Sequence, residues 1–266
     1  MLFRGLNTPE ADLYVNRLSI PVQGLDGERF AAAWAAVSHR HAVLRTGFLW
    51  QDLDEPLQFV MAELPVPLTS YDWRGEQNVE TRVSALAEAE RQRGFALEAP
   101  PLQRLVLVRT GEDSHQLIWT YHHILIDGWS TSQLMGEVLA HYAGQTLEPV
   151  VAYGNYIAWL RAKDVNAAEG FWRGQLARLD EPTYLVNGFP AQPAGQGHHA
   201  LYTRLDAQAT EQLKTFAKAE QVTLNTLVQG AWLLLLSRYS GQRTVAFGAY
   251  MAGRPASLVH SERVLV

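Results

Sequence analysis

The chain has 266 residues, of which 47% are hydrophobic and 18% are charged, and its net charge at pH 7 is −5. This composition excludes a disordered chain, and it shows no sign of the clustered Lys and Arg that nucleic-acid binding requires. Cysteine is absent, which excludes a disulfide framework, a thiolate nucleophile and a Cys-ligated metal.

No segment of the sequence suggests a membrane protein. The N-terminal stretch "MLFRGLNTPEADLYV" has no basic segment followed by an apolar run, so no signal peptide is predicted. The longest apolar run, "AWLLLL", is far shorter than the roughly 20 residues that span a bilayer. We therefore expect a soluble, cytoplasmic protein with neither nucleic acid nor membrane as a partner.

The first part of the chain mixes predicted strands and helices. Strands are predicted for "LYVNRLSIPVQG", "VLRTGFLW", "LQRLVLVRT" and "HQLIWTYHHILI". The segment "DGERFAAAWAAVSHRH" predicts an amphipathic helix, because Phe30, Trp34 and Val37 recur at helical spacing. The segment "NVETRVSALAEAERQR" predicts a polar surface helix. A long helical stretch is predicted for "YGNYIAWLRAKDVNAAEGFWRGQLARL".

One further helix is predicted for "STSQLMGEVLAHYAG". We expect Ser130 to cap its N-terminus, with Gln133 as the capping-box partner, and Gly144 to end it.

The composition changes at "DEPTYLVNGFPAQPAGQGHH", where prolines and glycines indicate a crossover. After it come a predicted strand "ALYTRL", a helix "AQATEQLKTFAKAEQ", a buried helix capped by Thr223 and ended by Gly241, and a strand "TVAFGAY". This order predicts an α/β (α+β) sandwich of two lobes. The predicted parts are an N-terminal lobe 1–178, a crossover 179–199 and a partial C-terminal lobe 200–266.

Two adjacent histidines followed by an acid occur in "YHHILIDGWS". Neighbouring strand residues point to opposite faces, so Tyr121 and His123 share one face and His122 takes the other. The spacing argues against a two-histidine metal site, and no metal is predicted. A neutral imidazole can accept a proton near pH 7, and Asp127 can orient an imidazole or pair with an arginine. The residues alone fit a catalytic site and a strand–turn–helix corner equally well.

A second adjacent pair, His198 and His199, serves as a comparison. It lies in the segment rich in proline and glycine and is followed by no acid, so a catalytic role is not expected there.

The stretch "HHILIDGWS" resembles the HHxxxDG signature of condensation domains of nonribosomal peptide synthetases, of their epimerisation domains and of chloramphenicol-acetyltransferase-like acyltransferases. "RHAVLRTGF", "YGNYIAWL" and "TLNTLVQGAWLLLLSRYSGQRTVAFGAYMAGRP" resemble further condensation-domain motifs, in the family's order. Trp129 precedes Ser130, as in condensation domains and not as in epimerisation domains. The resemblance covers essentially the whole chain.

The resemblance implies a chloramphenicol-acetyltransferase-like pseudo-dimer of two lobes. "MLFRGL" resembles the second half of the family's first motif, and the fifth to seventh motifs are missing. We therefore expect a chain truncated at both ends, with an incomplete second lobe, that is a poor catalyst or inactive by itself.

The implied reaction is peptide-bond formation, in which a carrier-bound aminoacyl amine attacks an upstream carrier-bound acyl or peptidyl thioester. The implied partners are upstream and downstream peptidyl carrier domains and an adenylation domain. The carriers bring phosphopantetheine arms, and no cofactor is bound by the chain itself. The implied catalytic motif comprises His122, His123, Asp127 and Gly128, with His123 acting as base or as positioning group.

The resemblance also assigns roles around this motif. Asp127 is expected to form a structural ion pair with Arg254, or alternatively with Arg45. Gly128 is expected to permit a tight turn and to leave room for a pantetheine arm.

Tryptophans are abundant, and most are expected in the core. Trp129, beside Ser130 in the motif, is either a channel wall or a core residue, and the core is the preferred interpretation. Trp34, Trp159, Trp172 and Trp232 are expected to be buried.

Two other functions remain open. One is a non-catalytic, condensation-like interaction module. The other is a coenzyme A-dependent acyltransferase of the same superfamily, which would build its cleft between subunits.

Overall fold

A computed structural model describes residues 14–185, 201–249, 253–255 and 257–265. The pair His198 and His199 lies outside these residues. The chain divides into two compact units, one within Met1–Lys163 and Ala252–Val266 and the other within Asp164–Met251. The predicted lobe boundaries at 178 and 199 stay a prediction beside these two units. The described residues after 252 also belong to the first unit.

In chain order, the strands are β1 (Val15–Gln23), β2 (Thr46–Leu49), β3 (Leu57–Val60), β4 (Leu68–Asp72), β5 (Gln103–Arg109) and β6 (Ser114–His122). The α-helices are α1 (Gly27–Arg40), α2 (Val79–Gln92), α3 (Gly128–Tyr142), α4 (Tyr153–Arg161), α5 (Val165–Leu176), α6 (Ala207–Ala219) and α7 (Leu224–Ser240). Short 3-10 helices span Ala42–Arg45 and Ser261–Arg263.

The first unit is built on a mixed sheet with the strand order β1-β6-β5-β4. β6 runs antiparallel to both β1 and β5, whereas β4 pairs with β5 in parallel. β2 and β3 form a separate antiparallel pair. The last residue of β6, His122, lies opposite Val15 of β1. β6 is an interior strand of this sheet, and the histidine pair therefore lies at the C-terminal end of an interior strand.

Strand alternation separates two hydrophobic clusters. On one face, Leu117 and Trp119 of β6 pack with α1 and α3, and the rings of Trp34 and Trp119 meet edge to face with centroids 4.9 Å apart. On the other face, Ile118 packs with Val83 of α2. Because β6 is covered on both faces, its position is fixed by packing as well as by hydrogen bonds.

The start of α3 differs from the prediction. The helix begins at Gly128, and its N-cap is Asp127, whose side chain accepts a hydrogen bond from the backbone N–H of Ser130. Ser130 lies inside the first turn and is buried, so its prediction as the cap was wrong. Gly144, just after the helix, has φ +76°, a left-handed conformation that glycine adopts without strain.

The long helical stretch predicted after residue 153 is two helices. The chain leaves α4 after Arg161, and the carboxylate of Asp164 then accepts hydrogen bonds from the N–H groups of Asn166 and Ala167. Asp164 therefore acts as an N-cap that starts α5 as a new helix.

The second unit contains α5, α6 and α7. Thr223 caps α7 and Gly241 ends it at φ +72°, as predicted. Burial of α7 was predicted wrongly, since Leu236 is its only buried residue. The described residues of the two predicted strands, 201–205 and 244–249, form no strand, because no described segment pairs with them. Instead, the N–H of Ala246 donates to the hydroxyl of Thr183 at 3.0 Å.

Tryptophan burial was predicted only in part. Trp34 is buried as expected, and Trp159 is partly buried. Trp129, Trp172 and Trp232 are exposed, so their assignment to the core was wrong. Among the residues that the structure describes, none of the helices combines the length and the apolar composition that crossing a bilayer requires.

Candidate active site

The chain turns sharply just after the histidine pair. The N–H of His122 donates to Leu102 O at 2.9 Å, and the N–H of His123 donates to Tyr14 O at 2.7 Å. The N–H of Leu125 then donates back to His122 O at 3.1 Å, which closes a tight turn. Backbone hydrogen bonds therefore hold both histidines at the end of β6.

His122 is a buried, neutral residue. Its Nδ1 accepts a hydrogen bond from the N–H of Ile124 at 3.1 Å, so the ring hydrogen of the neutral form lies on Nε2. Burial lowers the pKa of His122 from 6.5 to about 4, with a further contribution from the nearby His123. At neutral pH the ring therefore stays uncharged and packs beside Tyr14, with the ring centroids 6.1 Å apart.

His123 is partly exposed and has the opposite tautomer. Its Nδ1 lies 2.8 Å from the carbonyl oxygen of Ile126. A carbonyl oxygen can only accept, so Nδ1 must carry the hydrogen, and in the neutral ring the lone pair lies on Nε2. Of the two histidines, His123 therefore has the exposure and the tautomer suited to accepting a proton or a hydrogen bond from a substrate.

Asp127 makes contacts with both Arg254 and Ser130. Arg254 donates from Nη1 to Oδ2 at 2.7 Å and from Nη2 to Oδ1 at 3.0 Å. Oδ1 also accepts from the N–H of Ser130 at 2.8 Å, and Arg254 Nη2 donates to the Ser130 hydroxyl at 2.8 Å. Both carboxylate oxygens are therefore occupied by donors from Arg254 and from the first turn of α3.

Two opposing effects set the charge of Asp127. Burial alone would raise the pKa of Asp127, but the hydrogen bonds from Arg254 and Ser130 together outweigh it and hold the pKa below its ordinary value. Asp127 is thus ionised at neutral pH, and the Arg254 side chain that neutralises it is only 6% exposed.

Arg45 lies elsewhere. Its Nη1 donates to the carbonyl oxygens of Met61 and, at 2.8 Å, of Ala62, just after β3. The structure therefore brings Arg254 to Asp127 and does not bring Arg45 there. Arg45 is the last residue of the first 3-10 helix. Its side chain hydrogen-bonds to the segment that follows β3.

Gly128 is not required by the turn. It is the first residue of α3, its φ is not positive, and a Cβ built on it meets nothing within 4 Å. Gly128 was expected to permit a tight turn, and the backbone here does not depend on a glycine to make it. The space in front of Gly128 belongs to an open cavity of about 580 Å³, which is lined among the described residues by Gly128, Trp129, Ser132 and Gln133.

Two of the residues that line this cavity contact the 3-10 helix Ser261–Arg263, which sequence reasoning missed. The indole N–H of Trp129 donates to the backbone carbonyl of Glu262 at 3.0 Å, and the Gln133 side-chain amide donates to the same oxygen. A backbone acceptor can belong to any residue type, so no sequence pattern could have indicated Glu262.

The residues that the structure describes contain no cluster of three or more His, Cys, Asp or Glu side chains that could hold a metal ion. The candidate site is described by His123, the Asp127–Arg254 pair and the neighbouring cavity.

Comparison with known proteins identifies the family. The condensation domain family model matches residues 1–265, and the chain therefore belongs to the condensation domain family. Similar relatives include a linear gramicidin synthase of Brevibacillus parabrevis, 39% identical over 97% of this chain and 5% of the relative. Chondramide synthase cmdD of Chondromyces crocatus is 38% identical over 96% of this chain and 7% of the relative. The chain thus spans only a small part of the curated relatives it matches.

Solved structures share the fold. The EpoB cyclization-docking bidomain of Sorangium cellulosum matches with a TM-score of 0.69 and 22% identity, over 87% of this chain and 48% of that one. The first condensation domain of the calcium-dependent antibiotic synthetase matches with a TM-score of 0.66 and 20% identity, over 99% and 64%. The mixed α/β architecture is therefore the chloramphenicol-acetyltransferase-like fold of condensation domains.

Proposed function

We propose that this chain catalyses amide-bond formation between two thioester-bound substrates, as expected of a condensation domain in a nonribosomal peptide synthetase. The amine nitrogen of an aminoacyl thioester attacks the carbonyl carbon of an acyl or peptidyl thioester. A C–N bond forms, the C–S bond breaks, and the proton lost by the amine ends on the departing thiolate. The observation that carries the proposal is the tautomer of His123, in a chain that belongs to this family.

His123 is the residue that acts on the amine. An α-amine has a pKa of roughly 8, so part of the population is already neutral at pH 7 and needs chiefly to be oriented. The Nε2 lone pair can accept the ammonium or amine hydrogen and return it to the sulfur. The Ile126 carbonyl stabilises the ring in either role, because it accepts from Nδ1 whether or not Nε2 is protonated.

His122, Asp127 and Gly128 support this role without touching the proton. His122 stays neutral, and the Asp127–Arg254 pair fixes the turn between β6 and α3 on which His123 sits. Gly128 keeps the space beside the turn open for a phosphopantetheine arm. These arms would come with upstream and downstream carrier domains, next to an adenylation domain, as the resemblance to condensation domains implies.

We further propose the pseudo-dimeric arrangement of the superfamily, with a first lobe built on the β1-β6-β5-β4 sheet and a partial second lobe. The support for this proposal is the length of the match. The chain aligns with only 48% to 64% of the solved chains cited above.

The test is an amide-forming assay with loaded carrier domains, read by mass spectrometry of the product. Wild-type protein should form product faster than the uncatalysed background. His123→Ala should lower the rate by roughly 100-fold. His141→Ala, in an exposed position of α3, is the matched control and should leave the rate unchanged.

Two results would contradict the proposal. Equal rates for wild type and His123→Ala would remove His123 from the mechanism. Efficient turnover of a soluble coenzyme A thioester, with none from carrier-bound substrates, would favour the acyltransferase alternative.

A further inference from the structure

Trp129 is exposed, and a hydrogen bond orients its indole. The side chain has 54% of its surface exposed, yet its N–H is bound by the Glu262 carbonyl at 3.0 Å. The guanidinium of Arg254 lies 5.9 Å from the ring centroid, close enough for a cation–π attraction. A large apolar ring that is oriented by a hydrogen bond and still exposed can contact a ligand with less loss of side-chain entropy than an unsupported ring.

Gln133 lines the same cavity as Trp129, and the two side chains together are called the cavity wall. It lies one helical turn after Trp129, so the two side chains occupy one face of α3. Both donate to the same Glu262 oxygen, which fixes the indole and the amide relative to each other. Gly128 and Ser132, also four residues apart, line the adjoining part of the cavity. The cavity therefore follows α3, with the indole as its large apolar surface.

The electrostatics of this wall disfavour a charged ligand. The described lining residues carry no ionisable side chain. The neighbouring charges on Asp127 and Arg254 already neutralise each other through two hydrogen bonds. A charged group placed against the indole would lose hydration without gaining a partner, whereas an apolar group would gain contact.

We propose that Trp129 determines specificity by packing against an apolar side chain of a thioester-bound substrate, and that the Glu262 carbonyl positions Trp129 for this contact. The inference rests on the proposed function, since it names the substrate class of the same site. The preferred substrates carry aliphatic or aromatic side chains. Glycine and acidic residues gain nothing from the indole.

Binding can test this without turnover. The probes are pantetheine amides of glycine, leucine, phenylalanine and glutamate, which replace the thioester sulfur by nitrogen and do not react. Isothermal titration calorimetry with the 266-residue chain should give about tenfold tighter binding of the leucine and phenylalanine probes than of the glycine probe. The glutamate probe should bind no tighter than the glycine probe.

Variants can distinguish the contribution of the Trp129 indole from that of the residues that position it. Trp129→Ala should remove the preference by weakening the leucine and phenylalanine probes most, and Trp129→Phe should keep part of the preference. Gln133→Ala should weaken the preference, because one side of the wall is lost. Glu262→Ala is the matched control: the acceptor is a backbone carbonyl, so the preference should survive.

A preference that persists in Trp129→Ala, or a wild-type protein that binds all four probes equally, would overturn the inference. An equal loss of all affinities in Trp129→Ala and Trp129→Phe would show a structural role only and would also overturn it. None of these outcomes touches the proposed function, which depends on loss of amide formation in His123→Ala.

Discussion

Arg254 and Asp127, 127 positions apart in the sequence, form an ion pair with two hydrogen bonds of 2.7 and 3.0 Å. The pair joins the segment after residue 253 to the first turn of α3. Because Arg254 is buried while Asp127 is 31% exposed, removing the carboxylate leaves a guanidinium in a poorly hydrated position. Asp127 is also the N-cap of α3, so one side chain supports both the ion pair and the helix.

We predict that Asp127→Ala lowers the free energy of unfolding by about 3 kcal/mol, from loss of the ion pair and the cap together. Thermal melting and urea titration of the variant beside the wild type measure the change. Asp127→Asn keeps an oxygen for the Ser130 N–H and should lose less than Asp127→Ala.

The double variant Asp127→Ala with Arg254→Ala is the control for the pair. It should be less destabilised than the sum of the single variants, because no unpaired charge remains. An unchanged melting temperature in Asp127→Ala, with activity lost, would mean that Asp127 acts on the substrate directly.

His122 gives stability a specific pH dependence. The pKa of its ring is about 4 in the folded chain and 6.5 when it is unperturbed. Between these values the unfolded chain binds more protons than the folded one, so stability falls as the pH falls from 6.5 to 4 and is constant above 6.5 with respect to this group. The full loss from His122 amounts to about 3 kcal/mol.

Urea titrations of wild type and His122→Asn at pH values from about 7.5 to about 4 measure this contribution. Asparagine can still accept the hydrogen bond from the Ile124 N–H but does not titrate. We expect the stability of the wild type to fall more steeply with acid than that of the variant. Parallel curves for the two proteins would show that His122 does not remain neutral in the folded chain.

Local patterns in the sequence were sufficient where one element determines the outcome. Alternation along β6 separates Trp119 from Ile118, as expected. His122 is buried and His123 is partly exposed. Burial of the ring of His122 follows from its place at the end of a strand covered on both faces. The tautomer of His123 could not be predicted, because it depends on a carbonyl three residues later in a turn.

Tertiary contacts explain the failures. Trp129 is apolar and follows a strand, so its pattern favours the core, but α3 starts at Gly128 and the helix turns the indole outward. The cap of α3 was assigned to Ser130 although Asp127 was available, since the sequence does not show where the turn ends. The predicted strand "TVAFGAY" has no partner strand among the described residues for its described part, 244–249, and pairing is not a local property.

Substitutions of Gly128 can distinguish an effect on folding from an effect on activity. Its Cβ position is open and its backbone does not require glycine, so Gly128→Ala should be neutral or should stabilise the chain by up to about 1 kcal/mol, because alanine is favoured over glycine in a helix. Gly128→Leu should also fold, but its side chain would fill the cavity beside Trp129 and obstruct a phosphopantetheine arm.

We therefore expect melting temperatures at or above that of the wild type for both variants, and a loss of amide formation in Gly128→Leu that far exceeds any loss in Gly128→Ala. Circular dichroism melts and the loaded-carrier assay give the two measurements. A marked drop in the melting temperature of Gly128→Ala would show that the turn does need glycine, and full activity of Gly128→Leu would show that no substrate arm passes this position.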